Sequence, residues 1–404
     1  MDVDTAYLNA KLQEPIYMCQ PPGHMQGNNN QVLLLKKCLY GLKQSGREWY
    51  KCLVKTLAGM GFTKSSSDAA VFSRRGKQGY AVIAAAVDDL TITAPDEATI
   101  FGIKEDLARI FRMKDLGEIH WLLNLKIERD MKNKSLSISQ SAYIDKILRR
   151  FNLQDAKTST TPLDPNIKLT KDQSPTTDAE KEDMKKIPYR QAIGSLMWTA
   201  VATRPDIAFS VSLLSQFLEN PGRTHWNAVK RVFQYLKGTR NNKLTYGVNN
   251  NGLVGYTDAD WASQDHRHSI SGYIYQIDGG SVSWSCQKQS IVALSSTEAE
   301  FIALTHASKE ALWLQHIIAE VFQPLELPIQ IHSDNQSAIA IAYGNQQHAR
   351  TKHFDIRLYF IRDTIEEDKI SIKYLPTEQM VADIFTKALP GPRMKILAQK
   401  LGIY

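Results

Sequence analysis

The sequence predicts a multidomain chain of the α+β / α/β class, and three observations support this fold class. The chain has 404 residues with 43% hydrophobic content, which is enough for two or three domains with their own cores. Residues 250–390 read, in order, as strand, strand, strand, helix, strand, helix, helix, strand and helix. Residues 156–188 are rich in Pro, Ser, Thr and mixed charge, as is typical of a linker. We therefore expect separate domains before and after this segment.

Composition narrows the class of protein further. The net charge of +7 fits a polyanionic partner without requiring one. The first twenty residues contain acids and no long apolar run, so we expect no signal peptide, and the apolar stretch 80–87 is too short to span a membrane. The cysteines form no CxxC or Cys/His pattern and are expected to be reduced thiols of an intracellular protein. They are Cys19, Cys38, Cys52 and Cys286.

The N-terminal part contains three informative stretches. Residues 1–9 read as a strand leading into a helix, and residues 37–50 combine basic and aromatic side chains. In residues 80–94, two apolar runs flank a tight turn that carries Asp88 and Asp89. An Asp-Asp pair in a hairpin turn is usually turn chemistry alone, so this pair does not define a site by itself.

After this part, residues 139–150 form a helical pattern with an apolar stripe beside basic side chains. Such a basic face suits a duplex backbone, and a solvated face explains it nearly as well. After the linker, residues 189–249 show three helical patterns with apolar residues at helical spacing.

Four acids stand out in the C-terminal domain because each occupies a different element. Asp258 ends a period-two apolar run, Glu300 opens a long helical pattern, Asp334 follows a strand, and Asp383 lies in a short helical stretch. Two of them have a simpler interpretation when taken alone, because Asp334 could be a helix N-cap and Asp383 a solvated acid. Glu298 fits the capping box begun by Ser295, so Glu300 is the candidate ligand.

As a set, the C-terminal strings resemble the ribonuclease H of copia-type retrotransposon Pol polyproteins. The strings are TDADWAS, SSTEAEFIAL, HSDNQSA, RTKHFDIR and PTEQMVADIFTKALP. The resemblance implies a mixed five-stranded sheet with helices and a catalytic tetrad of Asp258, Glu300, Asp334 and Asp383. It also implies two divalent ions, Mg²⁺ or Mn²⁺, because two-metal hydrolysis of a phosphodiester uses clustered oxygen ligands.

The strings DVDTAYLNAKLQEPIYM, LYGLKQSGREWY and VDDLTITA resemble the reverse transcriptase palm of the same family. The resemblance implies that Asp2, Asp88 and Asp89 are metal ligands of the polymerase site. It further assigns nucleic-acid contacts to Gly41, Lys43 and Gln44. In the C-terminal domain, a cluster of positive charge in residues 348–357 predicts contacts to the substrate phosphates or a place at the active-site rim for Arg350, Lys352 and His353. For the charged members, surface positions are an equal alternative.

Several departures from the family pattern predict an impaired polymerase. Met1 directly precedes Asp2, so we expect the fingers subdomain to be missing. Ala86 stands where the family has an aromatic residue, and Leu122-Leu123-Asn124 replaces Phe-Leu-Gly. The ribonuclease H is expected to be the better preserved activity, although residues 375–378 lack the histidine of many cellular relatives.

Together these features predict a retrotransposon-derived RNA-directed DNA polymerase and ribonuclease H. The predicted parts are a partial palm and thumb at 1–155, a linker at 156–188, a helical connection at 189–249, a ribonuclease H-like domain at 250–390 and a tail at 391–404. The expected partners are an RNA–DNA hybrid, template and primer, dNTP if the polymerase is competent, and a second copy or an upstream Pol chain, with no membrane. The expected location is a cytoplasmic virus-like particle or the nucleus. A non-catalytic nucleic-acid-binding module and a decayed fragment that does not fold remain alternatives.

Overall fold

The computed structural model of the chain describes residues 1–27, 31–249, 251–264, 267–322, 324–344 and 355–404. The chain forms two compact units by its internal contacts. Unit 1 comprises Met1–Ile119 and Trp313–Pro324, and unit 2 comprises His120–Leu312 and Leu325–Tyr404.

The described part of unit 1 contains a six-stranded antiparallel sheet, a separate two-stranded sheet, two complete helices and the C-terminal end of a third. The strands are β1 (Asp2–Val3), β2 (Lys11–Cys19), β3 (Val32–Lys37), β4 (Thr63–Lys64), β5 (Val71–Arg75), β6 (Tyr80–Ala86), β7 (Asp89–Thr93) and β8 (Met113–Lys114). The helices are α1 (Ser45–Gly59) and α2 (Glu97–Ile110), with a 3₁₀ helix at Ala6–Asn9. The larger sheet has the order β4-β5-β6-β7-β1-β8, and β2 pairs with β3.

Local sequence signals account for the helices of unit 1. In α1, Trp49, Leu53 and Leu57 recur every four residues, so they share one face and are buried in the core. At the start of α2, the Asp96 carboxylate accepts a hydrogen bond from the Thr99 backbone N–H at 2.7 Å. This cap satisfies a backbone donor that would otherwise have no partner within the helix.

The first half of unit 2 is a four-stranded sheet with five helices. The strands are β9 (Trp121–Leu122), β10 (Leu125–Asp130), β11 (Ser135–Ser139) and β12 (Leu244–Tyr246), in the order β12-β11-β10-β9. The helices are α3 (Ser141–Arg150), α4 (Asp178–Lys185), α5 (Tyr189–Ala202), α6 (Ala208–Ser215) and α7 (Arg223–Gly238).

The residues that form this half of unit 2 do not follow the predicted domain boundaries. Residues 120–155 lie in unit 2, because β11 pairs with β12, with Leu136 opposite Tyr246. The segment predicted as a linker contains α4 and buries Leu163 and Leu169 in the core of unit 2. Scattered apolar residues in a polar segment give no periodic pattern, so the sequence does not reveal this packing.

The second half of unit 2 carries a five-stranded mixed sheet, as predicted. Its elements are β13 (Val254–Asp260), β14 (Ile270–Ile277), β15 (Gly280–Lys288), α8 (Ser296–Val321), β16 (Ile329–Ser333), α9 (Gln336–Tyr343), α10 (Asp355–Glu366), β17 (Ile370–Tyr374) and α11 (Gly391–Lys400), with 3₁₀ helices at Thr377–Gln379 and Val381–Phe385. Residues of α8 from Trp313 onward belong to unit 1. The strand order is β15-β14-β13-β16-β17, with β13, β14 and β15 antiparallel and β13, β16 and β17 parallel.

Two features of this half follow from short sequence signals. The β14–β15 hairpin turns at Asp278 and Gly279, whose φ angles of 50° and 83° suit a tight turn of the primed type. The predicted tail forms α11, which buries Met394 and Leu397 in the core of unit 2. Within the described ranges, we find no helix with the length and apolar character of a membrane span.

Candidate active site

Three of the predicted acids converge at one edge of the five-stranded sheet. Asp258 lies on β13, Asp334 directly follows the neighbouring strand β16, and Glu300 lies near the start of α8. One carboxylate oxygen from each lies within 4.8 Å of those from the other two. Because β13 and β16 are parallel neighbours, their carboxyl ends share one edge of the sheet, which brings Asp258 and Asp334 together.

Burial makes this cluster electrostatically costly. Asp258 is 3% exposed and Glu300 7% exposed. Burial raises the pKa of Asp258 to about 6, although Lys387 acts in the opposite direction. Burial, with the charges of Asp258 and Asp334, raises the pKa of Glu300 well above its usual value. A cation bound between these carboxylates would favour their charged forms.

The donor set fits a hard divalent cation. All three side chains offer carboxylate oxygens, the ligands that Mg²⁺ and Mn²⁺ prefer. Glu300 Oε2 is buried and has no hydrogen-bond partner among the described residues. A buried oxygen without a donor is the kind of atom that a metal ion satisfies.

The fourth predicted acid, Asp383, lies beside the three-acid cluster and has two cationic partners. Its Oδ1 atom is 2.9 Å from Lys387 Nζ, and its Oδ2 atom is 3.2 Å from Arg393 Nη2. Lys387 Nζ is also 3.7 Å from Asp258 Oδ2. Burial lowers the pKa of Lys387, but the Asp258 and Asp383 carboxylates outweigh burial and raise it.

Further partners of the acids were missed by the sequence reasoning. The Thr386 hydroxyl donates to Asp258 Oδ2, and the Thr377 hydroxyl donates to Asp334 Oδ2 at 2.6 Å. Arg393 also donates to the Thr377 carbonyl at 3.0 Å. The four-residue spacing of Asp383 and Lys387 was the one available signal, since such pairs meet on a helical turn.

The starts of α9 and α8 show whether Asp334 and Glu298 act as helix-capping residues. The N-cap of α9 is Asn335, whose side chain accepts from the Ala338 backbone N–H at 2.9 Å, so Asp334 is not the cap. Glu298 is tied to the start of α8, since its Oε2 accepts from the Leu294 backbone N–H at 2.7 Å. One half of the predicted capping box is present, since the Ser295 hydroxyl accepts from the Glu298 backbone N–H at 3.1 Å.

The predicted polymerase acids lie on adjoining elements of unit 1. Asp2 of β1 stands opposite Asp89 of β7, and Asp88 lies in the turn between β6 and β7. The Tyr40 hydroxyl donates to Asp88 Oδ2 at 2.7 Å, while Asp88 Oδ1 is buried without a hydrogen-bond partner in the described part of the chain. Among the described residues, these three acids do not form a group as close as the cluster at Asp258.

The predicted nucleic-acid contacts fall into two sets. Gly41, Lys43 and Gln44 are exposed and immediately precede α1, and Gly41 has a φ of 94° that favours glycine. The other set lies outside the described residues. Its members are Arg350, Lys352 and His353.

Comparison with known proteins adds independent findings. Residues 1–165 match the family described as reverse transcriptase (RNA-dependent DNA polymerase). The chain is 40% identical to the retrovirus-related Pol polyprotein from transposon TNT 1-94 of Nicotiana tabacum, over 100% of this chain and 31% of that protein. It is 35% identical to the putative transposon Ty5-1 protein of Saccharomyces cerevisiae, over 77% of this chain and 100% of that protein. A solved structure of LC11-RNase H1 with an RNA/DNA hybrid covers 33% of this chain and 93% of its own, with 15% identity and a TM-score of 0.26.

The fold and the relatives together define a class of retroelement protein with a segment that matches reverse transcriptase and a separate five-stranded mixed sheet. The chain belongs to the Pol polyprotein family of copia-type retrotransposons. It spans about a third of the length of the tobacco relative.

Proposed function

We propose that this chain hydrolyses the RNA strand of RNA–DNA hybrids at Asp258, Glu300, Asp334 and Asp383, with two Mg²⁺ or Mn²⁺ ions. The observation that carries the proposal is the convergence of three carboxylates from three separate elements within 4.8 Å. Buried acids of like charge are costly to a fold, so their convergence favours a cation-dependent role over a structural one.

Each side chain has a distinct part in this proposal. Asp258, Glu300 and Asp334 hold the first ion, and Asp383 completes the site on the side of Lys387. Thr386 and Thr377 orient Asp258 and Asp334 through their hydroxyl groups. When bound, divalent ions polarise the phosphodiester and lower the pKa of an attacking water molecule.

The test is cleavage of a labelled RNA–DNA hybrid by the purified chain with Mg²⁺ and with EDTA. Asp258→Asn should reduce the rate at least about 100-fold, because changing even an outer partner of a metal ligand costs 10–100-fold. Asp178→Asn, whose native side chain is fully exposed, is the matched control and should keep the native rate. An unchanged rate in Asp258→Asn would remove the site assignment.

For the polymerase segment, we propose nucleotidyl transfer at Asp2, Asp88 and Asp89, impaired in this chain. The family match over residues 1–165 supports the polymerase ancestry. Two observations support the impairment: Tyr40 occupies one oxygen of Asp88, and Ala86 offers no ring next to the turn. Primer extension on the preparation used for cleavage, with dNTP present, tests this directly, and efficient extension would overturn the impairment.

The proposed partner is an RNA–DNA hybrid recognised by its backbone shape and 2′-hydroxyls. The net charge of +7 supports a polyanionic partner. Full hybrid affinity without turnover in Mg²⁺ or Mn²⁺ would favour the alternative of a non-catalytic binding module. Template and primer binding, a second copy or upstream Pol partner, and a location in a virus-like particle or the nucleus stay predictions.

A further inference from the structure

Lys387 lies where it can oppose the binding of a cation to Asp383. Its ammonium group is 2.9 Å from Asp383 Oδ1 and 3.7 Å from Asp258 Oδ2, so it bridges a member of the three-acid cluster and the fourth acid. Arg393 holds the other oxygen of Asp383 at 3.2 Å.

We propose that Lys387 competes with a divalent cation for Asp383, so that metal ions bind to the site in sequence. A first ion binds at Asp258, Glu300 and Asp334, and a second ion gains Asp383 only when Lys387 moves away from it. This inference rests on the proposed function, because it concerns the ions of that same site.

The two cations differ in their freedom to move. The Lys387 side chain is 37% exposed and carries its ammonium group on a flexible four-carbon stem, so it can turn toward solvent. The Arg393 side chain is 25% exposed and also donates to the carbonyls of Thr377 and Glu378. Arg393 is therefore anchored, and Lys387 is the cation that can yield.

Charge balance points the same way. The four acids and Asp260, whose charge also acts on Lys387, together with the two cations leave a formal charge of −3 when all the acids are ionised. One divalent ion leaves −1, whereas a second ion makes the site positive unless Lys387 withdraws. A substrate phosphate beside the ions would offset part of that excess, so substrate should promote the binding of the second ion.

The test is a titration of the full chain with Mn²⁺ in the absence of substrate. Binding is measured by calorimetry and by the electron paramagnetic resonance signal of free Mn²⁺. In the native chain we expect one tighter and one weaker step. Lys387→Met should tighten the weaker step about tenfold, which corresponds to roughly 1.4 kcal/mol. Lys387→Arg keeps a cation at this position and should retain the weak step.

Lys369→Met is the matched control, because Lys369 is also 37% exposed and ion-paired, at 2.6 Å from Glu367. Its titration should match that of the native chain. Lys387→Gln provides a second neutral variant, and the melting temperature of each protein verifies folding. A folded Lys387→Met or Lys387→Gln protein that binds Mn²⁺ with native stoichiometry and affinity would overturn the inference.

Cleavage of the hybrid, measured in parallel, separates this inference from the proposed function. A tightened second step without hybrid cleavage would leave the lysine competition standing and reject the ribonuclease activity. Hybrid cleavage by the native chain, together with an unchanged second Mn²⁺-binding step in Lys387→Met, would support the ribonuclease activity and reject the lysine competition.

Discussion

At the residue scale, the Asp258 carboxylate is deeply buried and has both a cationic side chain and other carboxylates near it. It accepts a hydrogen bond from Thr386 and lies 3.7 Å from Lys387 Nζ, while Asp383 and Asp334 contribute like charge. Burial prevails and raises the pKa of Asp258 to about 6. Because this pKa is higher in the folded chain than the ordinary value of 3.8, Asp258 links proton binding to folding.

The contribution of Asp258 to the stability of the metal-free protein should therefore fall as pH rises from about 4 to about 6. In this window the folded state retains a proton on Asp258 that the unfolded state has released, so raising the pH favours unfolding. Glu300 acts in the same direction, because its pKa is also raised. The measurement is the melting temperature in EDTA across this pH range.

Two comparisons make this pH dependence specific to the site. Asp258→Asn cannot titrate at this position and should show a shallower decline with pH. Mg²⁺ or Mn²⁺ at pH 7 should raise the melting temperature of the native chain, since a ligand that binds only the folded state stabilises it. Identical pH slopes in the native and Asp258→Asn proteins would contradict the assignment.

At the element scale, a buried ion pair links the 3₁₀ helix Pro205–Ile207, which lies between α5 and α6, to α7. Arg204 Nε and Nη2 contact the two oxygens of Asp206 at 2.9 and 2.7 Å. The Tyr235 hydroxyl donates to Asp206 Oδ2 at 2.7 Å, and Arg204 also donates to the Thr239 carbonyl at 3.1 Å. The side chains of Arg204 and Asp206 are 1% and 0% exposed, so each depends on the other for charge compensation.

Asp206→Ala should destabilise unit 2 by about 3–5 kcal/mol, because it leaves the Arg204 charge buried without a partner. Tyr235→Phe removes one hydrogen bond and should cost about 1 kcal/mol. Urea denaturation gives both free energies of unfolding. Asp178→Asn, at a fully exposed position, should change this free energy by well under about 1 kcal/mol. A loss of similar size in Asp178→Asn and Asp206→Ala would disprove the importance of the buried pair.

At the scale of the whole molecule, the excess of basic residues bears on how the chain would associate with a polyanion. The chain has 49 Lys and Arg residues against 42 Asp and Glu, although the site gathers four of those acids. Basic side chains outside the site must therefore supply the attraction to a polyanion. Attraction of this kind depends on the backbone charge of the nucleic acid and is independent of sequence.

Binding of an RNA–DNA hybrid should weaken at least about tenfold between 50 and 200 mM salt, because bound phosphates release their counterions. Hybrids of equal length and different sequence should show the same dependence. Fluorescence anisotropy with the Asp258→Asn protein measures this affinity without cleavage. Affinity that is insensitive to salt, or strongly dependent on sequence, would contradict backbone recognition.

The sequence anticipated the parts of the fold that local signals encode. The β14–β15 hairpin was predictable because Asp278, Gly279 and Gly280 supply the turn between two apolar runs. Other packing in unit 2 could not be predicted from local signals, because it depends on long-range partners such as the β11–β12 pair. This applies to residues 120–155 and to Leu163 and Leu169. The partners of Asp383 were missed for the same reason, since Arg393 belongs to a segment predicted as a tail.

The sequence by itself determined the family, the order of helices and strands along the C-terminal part of the chain and the identity of the candidate acids, because motifs and periodicity are local properties of the chain. Only the tertiary structure decided which acids meet: the parallel pairing of β13 and β16 brings Asp258 and Asp334 together with Glu300. It also decided that Lys387 and Arg393 hold Asp383. Distances between carboxylates depend on how separate elements pack, and no local pattern specifies that packing.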